Sequence, residues 1–206
     1  MRSSAFKDSL RRFQLENLWL KEHFLSTAAQ SPKDERARLS AEMAIIRLHD
    51  AWSRYCRELV VISALGRAYT LGGNYLKPTC NVRGRGEIVR RAITTPSGKM
   101  RWIKWGNAAE CIEVGARLNI SNLSTIAAAL GANNTASEEI RSVRNFFAHR
   151  SRGTYEMAMQ TSRFPASLRP DVWELAIGGL PAGATGLTTI EVWIDNLEAT
   201  AEAAAQ

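Results

Sequence analysis

Apolar residues recur at three-, four- and seven-residue steps through the start of the chain, as Phe6, Leu10, Phe13, Leu20 and Phe24. That is the period of a helix with one buried face, and it predicts a helix over about 5–28. Ser31-Pro32 then breaks the pattern, with the proline suited to a first helical position. In the next run Ile45, Leu48, Trp52, Tyr55, Leu59 and Ile62 alternate three- and four-residue steps without a miss. A second helix is predicted from about 33 to 70.

The character changes over about 72–106, where Gly72-Gly73, Pro78, Gly84, Gly86, Pro96-Ser97-Gly98 and Gly106 punctuate the chain. Loops, a short helix at about 86–93 and a short strand pair are expected there. Helical patterns return at about 107–117, 121–130 and 136–160, with Asn134 or Ser137 available to cap the last. A Pro/Gly-rich stretch, Pro165 to Gly186, holds one short ordered piece near 172–177. A final helix from about 188 carries Ile190, Trp193, Ile194 and Leu197. The expected architecture is all-α, one helical domain over 1–206 with an insertion at about 72–106.

Composition sharpens this reading. Hydrophobic residues make up 45% of the 206, with six Trp and six Phe, which is enough for a proper core and argues against disorder. The formal net charge is +7, and 21 of the 27 basic residues are arginine. Arginine's planar fork matches phosphate and stacks on bases, so a nucleic-acid partner is favoured. The insertion alone holds eight basic side chains against Glu87, a net charge equal to that of the whole chain. Cys56, Cys80 and Cys111 are odd in number and widely spaced, which indicates neither a zinc site nor a disulfide framework. A reducing, cytoplasmic setting follows. The apolar run from Leu59 to Leu65 is too short to span a bilayer, and the charged N-terminal stretch does not read as a signal peptide.

The chemistry concentrates in one stretch, Arg141-Ser142-Val143-Arg144-Asn145-Phe146-Phe147-Ala148-His149-Arg150-Ser151-Arg152. On a helix turning about 100° per residue, Ile140, Val143, Phe146 and Phe147 share one sector and form the core face. Arg141, Asn145, His149 and Arg152 fall opposite it, and Arg144 lies close enough to swing towards His149.

This arrangement resembles the HEPN superfamily, whose signature is an arginine and a polar residue followed by a histidine on a late helix of a helical bundle. Arg144, Asn145 and His149 take those three places, and Arg144-Asn145-Phe146-Phe147-Ala148-His149-Arg150 matches the form common in such proteins. The likeness is specific over about a dozen residues and architectural elsewhere. It implies a metal-independent endoribonuclease without cofactor, acting as a homodimer, of the toxin or anti-phage defence type, with an antitoxin or defence-system protein as a further partner. Arg144, Asn145 and His149 would then be catalytic. Arg141, Arg150 and Arg152, with Arg83, Arg85, Arg90 and Arg91 of the insertion, would bind RNA. The alternative is a non-catalytic HEPN protein that binds RNA or a partner. A homodimer also answers a physical need, because an arginine-rich face cannot enter a core yet acts best when partly shielded from water. The flanking helices, the terminal one bearing Trp193 among them, are candidates for the apolar contact between the subunits.

Other features carry weaker signals. His49 sits at the edge of the second helix's apolar stripe and reads as a core-edge histidine. Arg47, Asp50, Arg54 and Glu58 form a charged stripe on that helix, read as a solvated face that can also flank the site. Arg83-Gly84-Arg85-Gly86 lacks the endings of phosphate-binding and dinucleotide-binding loops. Trp102 and Trp105 suit either base stacking or burial.

Overall fold

The apolar spacing at the start of the chain builds helix α1 (Ala5–Ala28), and all five of its periodic positions, Phe6 to Phe24, are buried. In this computed structural model the described residues are 5–28, 35–79, 84–95, 97–132, 134–160, 172, 176 and 187–206. Helix α2 (Glu35–Leu65) follows, and its six periodic residues are also buried. Strands β1 (Ala68–Tyr69) and β2 (Tyr75–Leu76) pair antiparallel, with Ala68 opposite Leu76. Then come α3 (Arg85–Ile93), α4 (Ala108–Arg117), α5 (Leu123–Ala132), α6 (Asn134–His149), α7 (Arg152–Met159) and α8 (Thr189–Ala204). The described residues are therefore mostly helical. Ser31-Pro32, Cys80, Arg83, Pro96 and most of the stretch from Pro165 to Gly186 lie outside them; within that stretch Val172 and Ala176 are helical and buried.

Two compact units emerge, and α1, α2 and α8 contribute residues to both. The first comprises residues 1–14, 52–134 and 198–206. Its centre is an aromatic group in which the Phe13 ring lies 5.8 Å from that of Trp52 and 5.2 Å from that of Tyr55. Each polar handle finds an acceptor: Trp52 Nε1 donates to Gly106 O at 3.3 Å, and Tyr55 Oη donates to Ala201 O at 2.6 Å. The first of these bonds fixes the end of the insertion to α2. Cys56 and Cys111 are buried as free thiols, and burial beside Cys111 pushes the Cys56 thiol up, away from reactive thiolate.

Helix α2 stops at Gly66, earlier than its periodicity suggests. Gly66 takes a left-handed φ of 58°, and its N–H closes the last turn on Ile62 O at 3.0 Å. A Cβ there would meet Pro78 N at 2.3 Å, so only glycine fits the turn into β1. The strand pair thus begins before the expected insertion, and its tip is held by Leu71 N donating to Ala205 O at 2.8 Å.

The second unit comprises residues 15–51 and 135–197. Its buried side chains include Leu20, Phe24, Ile45, Leu48, Ile140, Val143, Phe147, Ile190, Trp193, Ile194 and Leu197. Trp193 is fully buried, and its Nε1 donates to the carboxylate of buried Glu139 at 2.7 Å. Trp193 itself therefore belongs to the core of its own unit. A large amphipathic ring is most stable where its apolar body is dry and its N–H is satisfied, and Glu139 supplies that acceptor.

Candidate functional site

Helix α6 presents the candidate site because its opposite face is committed to the core. Ile140, Val143 and Phe147 are buried, while Phe146 is only half-buried and meets Tyr155 edge-on at 5.8 Å. Arg141, Arg144 and Asn145 are half-buried on the remaining face, and His149, the last helical residue, is exposed. This is the expected division, except that Phe146, expected in the core, is half-buried.

The helix does not continue to 160, however. Arg150 takes a left-handed φ of 42°, and Ser151 opens α7 with a capping box whose partner is Thr154. Arg152 therefore starts a new helix and does not extend the α6 face. Its side chain is 92% exposed and pairs with Glu156 at 2.8 Å. Such an exposed pair contributes under about 1 kcal/mol and yields readily to a phosphate.

The remaining arginines differ in what already holds them. Arg141 pairs with Glu138 one turn back, its Nε at 2.9 Å. Arg150 reaches both oxygens of Glu42, at 3.0 and 2.7 Å, and Glu42 is itself buried. Removing Arg150 from that carboxylate leaves a buried negative charge with, among the described residues, Arg38 beside it at 3.4 Å. Arg150 thus clamps α6 to α2, and its use on RNA would compete with that clamp. In the insertion, Arg85 pairs with Glu58 and Arg91 with Glu87 at 2.8 Å, whereas Arg90 is exposed; Arg83 lies outside the described residues. Arg101 pairs with Glu113 at 2.8 Å. Carboxylates outside the insertion thereby offset part of a charge that looked bare in sequence. Trp102 remains 88% exposed beside these groups, and Trp105 is half-buried.

Arg144 stands apart. No carboxylate among the described residues lies within ion-pair distance of it, and its one hydrogen bond is a long contact from Nη1 to Asn145 Oδ1 at 3.4 Å. Its Nε is buried without any hydrogen-bond partner. No hydrogen bond joins Arg144 or Asn145 to His149, whose ring extends a turn further along the helix. Among the described residues, no carboxylate holds the Arg144 fork and no hydrogen bond engages the imidazole beyond it.

The group that sequence reasoning set aside is His49 of α2. Its ring is 20% exposed, and it feels the positive charges of Arg144 and Arg141. Burial above all, then those two charges, hold its pKa below the ordinary 6.5 against the opposing pull of Asp50. Together these favour the neutral form of the His49 ring. Its position at the edge of the apolar stripe was legible; its neighbours on α6 were not.

Large apolar side chains are exposed elsewhere on this unit, at Leu15, Leu18, Trp19, Leu39 and Met43. Some of them line a groove of about 250 Å³ in which the Arg47 guanidinium lies 4.9 Å from the Trp19 ring. Among the described residues no group of three His, Cys, Asp or Glu side chains is placed to hold a metal, and no helix is long and apolar enough to cross a membrane. No family model matches the chain, and no curated protein or solved structure shows a significant match to it.

Proposed function

We propose that this chain is a HEPN-type endoribonuclease whose chemistry is carried by Arg144, Asn145 and His149. The single observation behind the reading is the state of Arg144: a half-buried guanidinium with no carboxylate partner among the described residues, on a cationic helix face that also bears an exposed histidine. RNA cleavage by its own 2′-hydroxyl needs three things. A base takes the 2′-proton, an acid protonates the departing 5′-oxygen, and a cation stabilises the charge gathering on the phosphate. An imidazole near neutral pKa performs either proton transfer, and an arginine fork grips two phosphate oxygens at once. Asn145 steadies the fork. The products are a 2′,3′-cyclic phosphate and a 5′-hydroxyl.

One His149 per chain supplies one imidazole of this face, so the reading includes a homodimer that brings two α6 faces to one cleft. Two cationic faces repel, so the joining contact is apolar. Exposed Leu15, Leu18, Trp19, Leu39 and Met43 on α1 and α2 offer such a surface to a second copy. The reading also places the protein in the cytoplasm, as a toxin or anti-phage effector restrained by an antitoxin or defence-system partner, with the insertion's Arg83, Arg85, Arg90 and Arg91 holding RNA phosphates. A non-catalytic RNA-binding or partner-binding HEPN protein is the second reading, and the lack of any hydrogen bond between Arg144 and His149 favours it.

A cofactor-free mechanism makes a direct prediction. Purified protein incubated with total RNA continues to cleave in excess EDTA, because guanidinium and imidazole do the work assigned to them without an ion. Cleavage lost on chelation and restored by Mg²⁺ or Mn²⁺ would assign the chemistry to a bound metal instead.

A further inference from the structure

The insertion ends on a short run in which burial alternates. Met100 is exposed, Arg101 half-buried, Trp102 exposed, Ile103 buried and Lys104 exposed. That is the period of an extended chain with one face on the protein and the other in solvent. The inner face is firmly held. Arg101 N donates to Ile93 O, the last residue of α3, at 2.6 Å, and Arg101 Nη1 donates to both oxygens of Glu113 on α4, at 2.8 and 3.0 Å. Lys104 N donates to the Glu110 carboxylate at 2.9 Å. Upstream, a turn in which Gly98 N donates to Thr95 O at 2.8 Å brings Met100 back to pair with Thr94. The outward side chains therefore project from a backbone that is already fixed, so a ligand meeting them has little chain to order.

Trp102 is the outlier of this surface. At 88% it is the most exposed large apolar side chain among the described residues. Tryptophan is ordinarily well buried, because its large apolar ring gains much from leaving water. A fixed backbone that nonetheless turns the ring outward suits a ligand with flat apolar groups, and the neighbouring charges indicate its sign. Lys99, Lys104 and Arg90 are exposed, and no ion pair among the described residues holds any of them. Lys104 follows Trp102 on the same face, about 6–7 Å along an extended chain. Arg90 O accepts from Thr94 N at 3.1 Å, which puts Arg90 one helical turn before the Thr94–Met100 pair. The nearby carboxylates of Glu110 and Glu113 are engaged by Arg101 and the Lys104 backbone. Flat apolar groups strung on an anionic backbone are the chemistry of a nucleic-acid strand. An anionic lipid surface also attracts tryptophan and lysine, but it is gripped by the whole apolar face of a helix, whereas here only Met100 and Trp102 project.

We propose that Trp102 is a base-stacking residue of a single-stranded RNA site on the insertion, with Lys99, Lys104 and Arg90 taking neighbouring phosphates. The proposal rests on the RNA reading above and deepens it by naming the form of the substrate. Only unpaired bases can splay out and offer a face to the ring, so the site takes loops and single strands in preference to a duplex. Stacking accepts every base, so the site holds RNA without choosing its sequence.

The test measures binding of a fluorescent, single-stranded 2′-O-methyl oligoribonucleotide, which cannot be cleaved, to the full chain. Trp102→Ala should bind about tenfold more weakly, within the range for one lost stacking contact, and Trp102→Phe should recover most of the affinity. Both variants should keep the wild-type melting temperature, because the ring is exposed. Salt separates the two kinds of contact. Trp102→Ala should leave the slope of log affinity against log salt unchanged, whereas Lys104→Ala should reduce it by about 0.7, the value for one phosphate on a single strand. An abasic strand of the same length lacks only the bases, so wild type and Trp102→Ala should bind it equally. Trp102→Ala as tight as wild type on the base-bearing strand, or an equal loss on the abasic one, would overturn the proposal. Trp102-dependent binding to phosphatidylserine vesicles in place of the strand would overturn it too, assigning the ring to a membrane surface. The EDTA cleavage assay keeps the two ideas separate: wild type that cuts RNA yet binds it without dependence on Trp102 refutes this proposal alone.

Discussion

Arg144→Ala and His149→Ala should each lower the rate of RNA cleavage by at least about a hundredfold, the usual contribution of a positioned acid–base or charge-stabilising group. Neither change should unfold the protein. His149 ends α6 and is exposed, and the Arg144 side chain has no ion pair to lose among the described residues. Truncating Arg144 even removes a buried donor that lacks a partner, so its effect on stability should lie within about 0.5 kcal/mol of wild type. The informative comparison is therefore activity against melting temperature. A His149→Ala protein that cuts RNA as wild type does would remove the catalytic assignment. Mixing the two variants adds a further readout, because in a shared cleft one heterodimer site retains both an Arg144 and a His149. Partial recovery supports sharing between subunits; none, in a mixture shown to exchange chains, points to sites complete within one chain.

Trp193→Ala should have the opposite profile, a large loss of stability with no specific role in chemistry. Trp193 is fully buried in the second unit, and truncating such a ring costs about 3–5 kcal/mol in lost contacts and the cavity left behind. A further penalty arises because Glu139 is buried and loses the indole N–H that donates to it at 2.7 Å. Trp193→Phe separates the two effects, retaining much of the apolar body while removing the donor. Denaturant unfolding should rank the three proteins wild type, Phe variant, Ala variant. If Trp193→Ala instead keeps its unfolding midpoint and only shifts a monomer–dimer equilibrium, the ring lies at a subunit contact and its placement in the core is mistaken.

The parts of the fold that sequence revealed are those governed by repeating burial. Phe6 to Phe24 in α1 and Ile45 to Ile62 in α2 follow one period because one face of each helix is dry throughout. The division of α6 into a core face and an arginine-bearing face was legible for the same reason. What escaped were features set by single residues. Apolar positions do not mark the end of α2 at Gly66, where a left-handed turn and a close backbone approach decide. The break between α6 and α7 lies where Arg150 turns left-handed and Ser151 caps, although Ser151 and Thr154 at capping-box spacing did carry a signal. That break took Arg152 out of the α6 face, and the buried Glu42 took up Arg150. Charge was misjudged similarly: Glu58 and Glu113, distant in sequence, answer Arg85 and Arg101. His49 could be placed on its helix, but no local pattern states that the charges of Arg144 and Arg141 reach it.

The central claim is that this site cuts RNA through the 2′-hydroxyl of its own substrate. The most direct measurement uses a short labelled RNA and the same RNA with a single 2′-deoxy residue at the mapped cut, each incubated with purified wild-type protein. The account predicts products ending in a 2′,3′-cyclic phosphate and a 5′-hydroxyl from the first, and no cut at that position in the second. Cleavage of the deoxy-substituted strand at an undiminished rate, or products bearing a 5′-phosphate, would contradict it.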